Sequence, residues 1–101
     1  MTRRAEDAHA SLLEEIAEAK AAALRRIAER LDELLGELAS LQAGLDAAPC
    51  EARQSVVSRF NETREQARLQ RWFLEVQREA IGLLRHESLD EFYRVPAPIR
   101  D

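Results

Sequence analysis

A single stretch, Asp46-Ala47-Ala48-Pro49, interrupts an otherwise helix-favouring chain. Proline lacks the N–H that a helix interior needs and its ring clashes with the preceding turn, whereas the first turn of a helix accepts it. No comparable break occurs from about residue 3 to 46 or from about 49 to 87. A short connection between two helices of matched length favours an antiparallel hairpin with its turn at 47–49.

Length and composition favour a single all-α domain over residues 1–101. The 101 residues are 46% hydrophobic, 34% charged and only 5% aromatic, with three glycines and three prolines. A β-sandwich or barrel needs turn residues every ten or so positions, and this chain has too few. Alanine, leucine, glutamate and arginine dominate instead, which is typical of long helices and coiled coils.

The same composition predicts the compartment. One cysteine cannot form an internal disulfide, and no apolar run approaches the roughly 18–20 residues of a membrane span. The acidic start of the chain lacks the apolar core of a signal peptide. We therefore expect a cytoplasmic protein without a membrane partner, and the excess of arginine over lysine suggests a GC-rich bacterial source.

The first helix carries one continuous apolar seam. Its members alternate steps of three and four residues: Leu24, Ile27, Leu31, Leu34, Leu38, Leu41 and Leu45. Ala28 and Leu35 widen this face beyond the seam of a two-stranded coil. Upstream, Leu13 and Ile16 lie eleven residues before Leu24 and Ile27, a stutter in the repeat. The width predicts that the hairpin completes a helical bundle by oligomerisation.

The C-terminal part of the chain predicts a short helix and an extended tail. Ser88 followed by Glu91 fits a capping box, so the second helix should break near Glu87 and restart briefly. Residues that precede a proline avoid helical geometry, and Pro96 and Pro98 therefore predict an extended end. The tail is apolar enough to fold back over Leu83 and Leu84 or to dock on a partner chain.

The favoured function is a non-catalytic helical protein–protein interaction module, a small accessory, adaptor or assembly subunit. Its partner is predicted to be a second copy of itself or a larger protein complex. Aromatic anchors ringed by arginine and glutamate are typical of interface hot spots. The predicted partner-binding residues lie on the second helix and the tail: Trp72, Phe73, Val76, Ala80, Leu83, Phe92, Tyr93 and Val95. The alternative is that these side chains form the core of the hairpin.

A nucleic-acid-binding function is the first alternative. Arg64, Arg71, Arg78 and Arg85 recur at intervals of seven and make a basic stripe of the kind that phosphates require. The charge balance argues against it, because residues 1–48 carry a net charge of −4 and residues 49–101 carry none. Pairing of these arginines with nearby glutamates is the simpler interpretation.

A metal–carboxylate bundle is the second alternative. Glu6 and His9 share one helix face, and di-iron bundles use two such Glu-x-x-His pairs with two further glutamates. A dimer could supply that set, with His86 at the level of His9. The pair lies near a fraying helix end, so we predict no metal and no other cofactor. Catalysis is not expected either, because Cys50 lies by the hairpin turn, far from both histidines.

Overall fold

The computed structural model describes residues 2–100 and confirms the hairpin. Two long helices, α1 (Arg3–Ala47) and α2 (Cys50–Ala80), pack against each other and a short α3 (Glu87–Phe92) follows. No strand occurs among the described residues. The molecule is a rod of 73 × 21 × 16 Å.

Local chemistry sets the start of each long helix. The side chain of Thr2 accepts a hydrogen bond from the Ala5 N–H at 3.4 Å and so caps α1. Pro49 is the N-cap of α2 in an extended conformation, and Glu51 lies in the first turn, where its charge complements the helix dipole. The predicted break at Pro49 is therefore confirmed.

The core is a narrow apolar layer between α1 and α2, closed by α3. Its fully buried members come from all three helices: Leu31, Leu34, Leu38, Phe60, Ala67, Leu74 and Leu89. Leu24, Ile27 and Leu41 pack against this layer while partly buried. The predicted leucine seam is thus the face of α1 that meets α2.

The second helix ends at Ala80, earlier than the predicted end near Glu87. Gly82 has a φ of +92°, its N–H bonds the carbonyl of Glu79, and the N–H of Leu83 bonds that of Arg78. These two bonds are the Schellman motif, which terminates helices at a residue with positive φ. Glycine adopts that backbone without a Cβ clash, so Gly82 ends α2.

The short third helix exists, but the predicted capping box at Ser88 is wrong. α3 begins at Glu87 with His86 as its N-cap, and no side chain caps it. Ser88 therefore lies inside the helix. Leu89, the buried residue of α3, holds the helix against the core.

The tail folds back, but onto a different part of the molecule than predicted. Residues 93–100 have no regular structure, and Tyr93, Val95 and Ile99 pack against the core layer. Asn61, in the first half of α2, receives a hydrogen bond from the Ile99 N–H at 2.9 Å and donates one to the Ile99 carbonyl at 3.0 Å. Leu83 and Leu84 stay exposed instead of being covered.

The two long helices have unequal lengths, 45 and 31 residues, and this leaves part of α1 unpaired. Because they meet at the turn, Ala80 lies level with about residue 17 of α1, at roughly 1.5 Å per residue. Residues 3–16, the overhang, therefore extend beyond the end of α2. Every residue from 3 to 21 is exposed, including Leu12, Leu13 and Ile16.

Candidate interaction surfaces

An exposed apolar stripe runs along α2 on the side away from the core. Its members, which we call the outer stripe, are Leu69, Trp72, Phe73, Val76 and Ala80. The buried residues Ala67 and Leu74 lie on another face, because successive side chains of a helix are about 100° apart. Trp72 is 54% exposed, and its ring centroid lies 5.4 Å from that of Phe73. The outer stripe is thus a continuous aromatic and aliphatic surface in contact with solvent.

The structure brings only some of the predicted partner-binding residues together. Trp72, Phe73, Val76 and Ala80 share the outer stripe, to which the structure adds Leu69. The exposed Leu83 and Phe92 lie past the end of α2, outside the stripe. Tyr93 and Val95 are half-buried against the core, where they fix the tail.

A second apolar surface lies where α2 stops. A shallow groove runs from the overhang to the last turn of α2 and is lined by Leu13, Ile16, Ala17, Lys20, Ala21, Leu24, Ala80 and Ile81. Leu13 and Ile16 continue the face of α1 that α2 covers further along. In the sequence, this groove was signalled by Leu13 and Ile16, which lie eleven residues upstream of the seam residues Leu24 and Ile27. Its exposure was not predicted, because an α2 that continued to residue 87 would have covered this part of α1.

Three arginines of the predicted stripe lie on α2 and hold the C-terminal segment, whereas the fourth, Arg85, lies past the end of α2. The Arg64 Nε donates to the Pro96 carbonyl at 2.8 Å, and an Arg78 guanidinium N–H donates to the Arg85 carbonyl at 2.9 Å. Arg71 pairs with the carboxylate of Asp90 in α3. Three of the four arginines at heptad spacing therefore bind the returning chain.

Some charged side chains of α2 also form ion pairs at the surface. Glu65 pairs with Arg64 at 2.8 Å and with Arg68 at 3.1 Å. The Nε2 of His86 lies 2.9 Å from an Oε1 of Glu79, which ties the start of α3 to the end of α2. Pairs this exposed contribute little to stability and can exchange partners.

The residues of the predicted metal alternative are not gathered into a site. Glu6 and His9 are exposed on the overhang, and His86 instead faces Glu79 at the start of α3. Within residues 2–100, no three histidine, cysteine, aspartate or glutamate side chains are grouped as metal ligands. Cys50 is exposed at the first residue of α2.

Comparisons with known proteins found no relative of this chain. No protein family, curated protein or solved structure matches the chain. In the part of the chain that the structure describes, no helix combines the length and the apolar character needed to cross a bilayer. The two apolar surfaces are therefore the features of the molecule that bear on its function.

Proposed function

We propose that the protein is a non-catalytic helical interaction module, a small cytoplasmic accessory or assembly subunit that completes a helical bundle with itself or with a larger protein. The supporting observation is the amount of large apolar surface left uncovered. Among residues 2–100, the exposed large apolar side chains are Leu12, Leu13, Ile16, Leu69, Trp72, Phe73, Val76, Ile81, Leu83, Leu84 and Phe92. They outnumber the nine buried apolar residues, which are the seven of the core layer together with Leu45 and Val57.

The arrangement of these side chains supports the proposal more than their number. Apolar residues scattered singly over a surface are ordinary, whereas contiguous apolar patches mark interaction sites. Here they gather on the outer stripe and along the overhang groove. Both surfaces follow helix faces, so a partner helix fits either one.

The geometry gives less support to the nucleic-acid alternative. Phosphate binding by the arginine stripe would require Arg64 to leave the tail, Arg71 to leave α3 and Arg78 to leave the loop before α3. The half-buried carbonyl of Pro96 would then lose a charged donor, at a cost of about 1–3 kcal/mol, whereas the exposed Asp90 and Arg85 groups would regain water. A salt-dependent gel shift with wild-type protein would restore this alternative.

The test compares partner capture by charged variants of each surface. A tagged wild-type chain, a Leu13→Glu/Ile16→Glu variant and a Trp72→Glu variant are used to capture proteins from an extract of the source organism. We expect at least one variant to lose a stoichiometric partner, or the self-association of the wild type, because a buried unpaired carboxylate opposes docking.

A matched control separates binding from folding. Leu84→Glu changes the most exposed large apolar side chain, 74% exposed and outside both surfaces, and should leave capture unchanged. Exposed substitutions alter stability by only about 0.5 kcal/mol, so all variants should melt close to the wild type. A wild-type chain that stays monomeric and captures the same proteins as both surface variants contradicts the proposal.

A further inference from the structure

We propose that the outer stripe pairs with the outer stripe of a second copy, with the two α2 helices antiparallel. This inference rests on the proposed function and names its partner. The two-fold axis would pass between the levels of Leu74 and Glu75. The resulting dimer joins two hairpins through the faces of α2 that are turned away from their own cores.

Four of the five stripe residues, all but Trp72, have a self-complementary spacing. Leu69, Phe73, Val76 and Ala80 are separated by four, three and four residues, a pattern that reads the same in both chain directions. In an antiparallel pair, Leu69 then meets Ala80 of the second copy, and Phe73 meets Val76. Each layer sets a larger side chain against a smaller one, as close packing between helices requires.

The charges beside the stripe favour this orientation. Arg68 and Glu79 flank it on one side, and their side chains are 65% and 53% exposed. An antiparallel copy places Arg68 level with residue 81 of the second copy, two residues or about 3 Å along the axis from Glu79. The long side chains of Arg68 and Glu79 span that offset, and the reverse pair forms by symmetry. The other flank carries the uncharged Gln70 and Gln77. A parallel pair would set the charged flank against the glutamines and form neither ion pair.

The available area predicts a weak dimer. The large stripe residues are each roughly two-fifths to one-half exposed, with Trp72 the most exposed of them. With the flanking polar side chains, two stripes would bury on the order of 1,200 Å² in total, the lower end for specific protein–protein interfaces. The dimer should therefore depend on protein concentration.

The first measurement follows native mass and tryptophan emission over a concentration series. Reducing conditions are used because an exposed cysteine, Cys50, can form a disulfide between two chains. Trp72 is the only tryptophan, so its emission reports on the stripe directly. We expect a blue shift in step with a rise to the dimer mass, at least a tenfold weaker dimer for Val76→Glu, and no change for Leu84→Glu. A wild-type chain that stays monomeric overturns the inference, as does a dimer that Val76→Glu leaves intact.

The second measurement tests orientation with charge reversal. Arg68→Glu alone sets glutamate against glutamate in the dimer, and Glu79→Arg alone sets arginine against arginine. Each variant should self-associate about tenfold more weakly, since two exposed pairs change from attraction to repulsion. An equimolar mixture should recover the dimer, because both cross-chain pairs are then opposite in charge. Circular dichroism checks that each variant folds, and a mixture no tighter than its components overturns the antiparallel orientation.

The outcomes distinguish this inference from the proposed function. If the wild type stays monomeric while Trp72→Glu abolishes capture of another protein, self-pairing is wrong and the interaction function stands. If the wild type neither self-associates nor loses any partner in the surface variants, both are wrong.

Discussion

At the scale of single residues, Gly82 and Gly36 differ in backbone conformation. Gly82 has a φ of +92° and allows the bonds that end α2, whereas Gly36 lies inside α1 with ordinary helical geometry. Apart from the adjacent residues and the backbone of the same helix, a Cβ on either residue would meet no atom within 4 Å. The difference therefore lies in the backbone, not in the available space.

We predict that Gly82→Ala lowers the free energy of unfolding by about 1–2 kcal/mol, the cost of a left-handed conformation for a residue with a Cβ. Gly36→Ala should raise it by roughly 0.5–1 kcal/mol, because alanine loses less backbone entropy in a helix. Urea denaturation followed by circular dichroism measures both. Equal shifts of the same sign would show that Gly82 does not set the end of α2.

At the scale of elements, α2 packs against two other parts of the same chain. One face forms the core with α1. The neighbouring face binds the tail through Asn61 and Arg64, α3 through Arg71, and the loop before α3 through Arg78. Most of these bonds end on backbone carbonyls of the returning segment. The tail is therefore positioned by its backbone as well as by its apolar side chains.

Two arginines provide a matched test of this tail attachment. Arg64 and Arg68 both pair with Glu65, but only Arg64, 20% exposed, also donates to Pro96. We predict that Arg64→Ala destabilises the protein by about 1–3 kcal/mol, the value of a hydrogen bond from a charged donor. Trypsin should then cleave after Arg94 faster. Arg68→Ala should change stability by less than about 1 kcal/mol and leave cleavage unchanged; equal effects would contradict the attachment.

Some features of these elements could be predicted from the sequence and others could not. The break at Pro49 and the leucine seam follow from local chemistry and from a repeat within one helix, and both were predictable. The end of α2 was missed because one glycine in a helix-favouring segment does not reveal that its φ is positive. The arginine stripe was visible, but its partners lie up to 32 residues further along, where periodicity gives no information.

At the scale of the whole molecule, the unequal helices create two regions of different stability. The hairpin core packs α1 from about Leu24 to Leu45 against α2 and the tail. The overhang has helical backbone bonds but no buried apolar face. An isolated helix of its length is marginal in water, since most helix stability comes from tertiary packing.

We predict that amides in residues 7–16 exchange hydrogen far faster than those around Leu31–Leu38, which should open only with global unfolding. Hydrogen exchange read by mass spectrometry at a concentration that keeps the chain monomeric measures this gradient. Leu13→Glu/Ile16→Glu should leave the core rates unchanged. Equal protection along α1 would contradict the low stability expected of the overhang in the monomer.

The attachment of the C-terminal segment to α2 has a kinetic consequence. Its successive bonds join residues 7, 19, 32 and 38 positions apart, beginning beside Gly82 and ending at Ile99. Each bond that forms brings the next pair of residues closer together. Each further bond therefore closes only a short loop and costs little chain entropy. The C-terminal segment should therefore dock on α2 first beside Gly82 and last at Ile99, and it should detach in the opposite order.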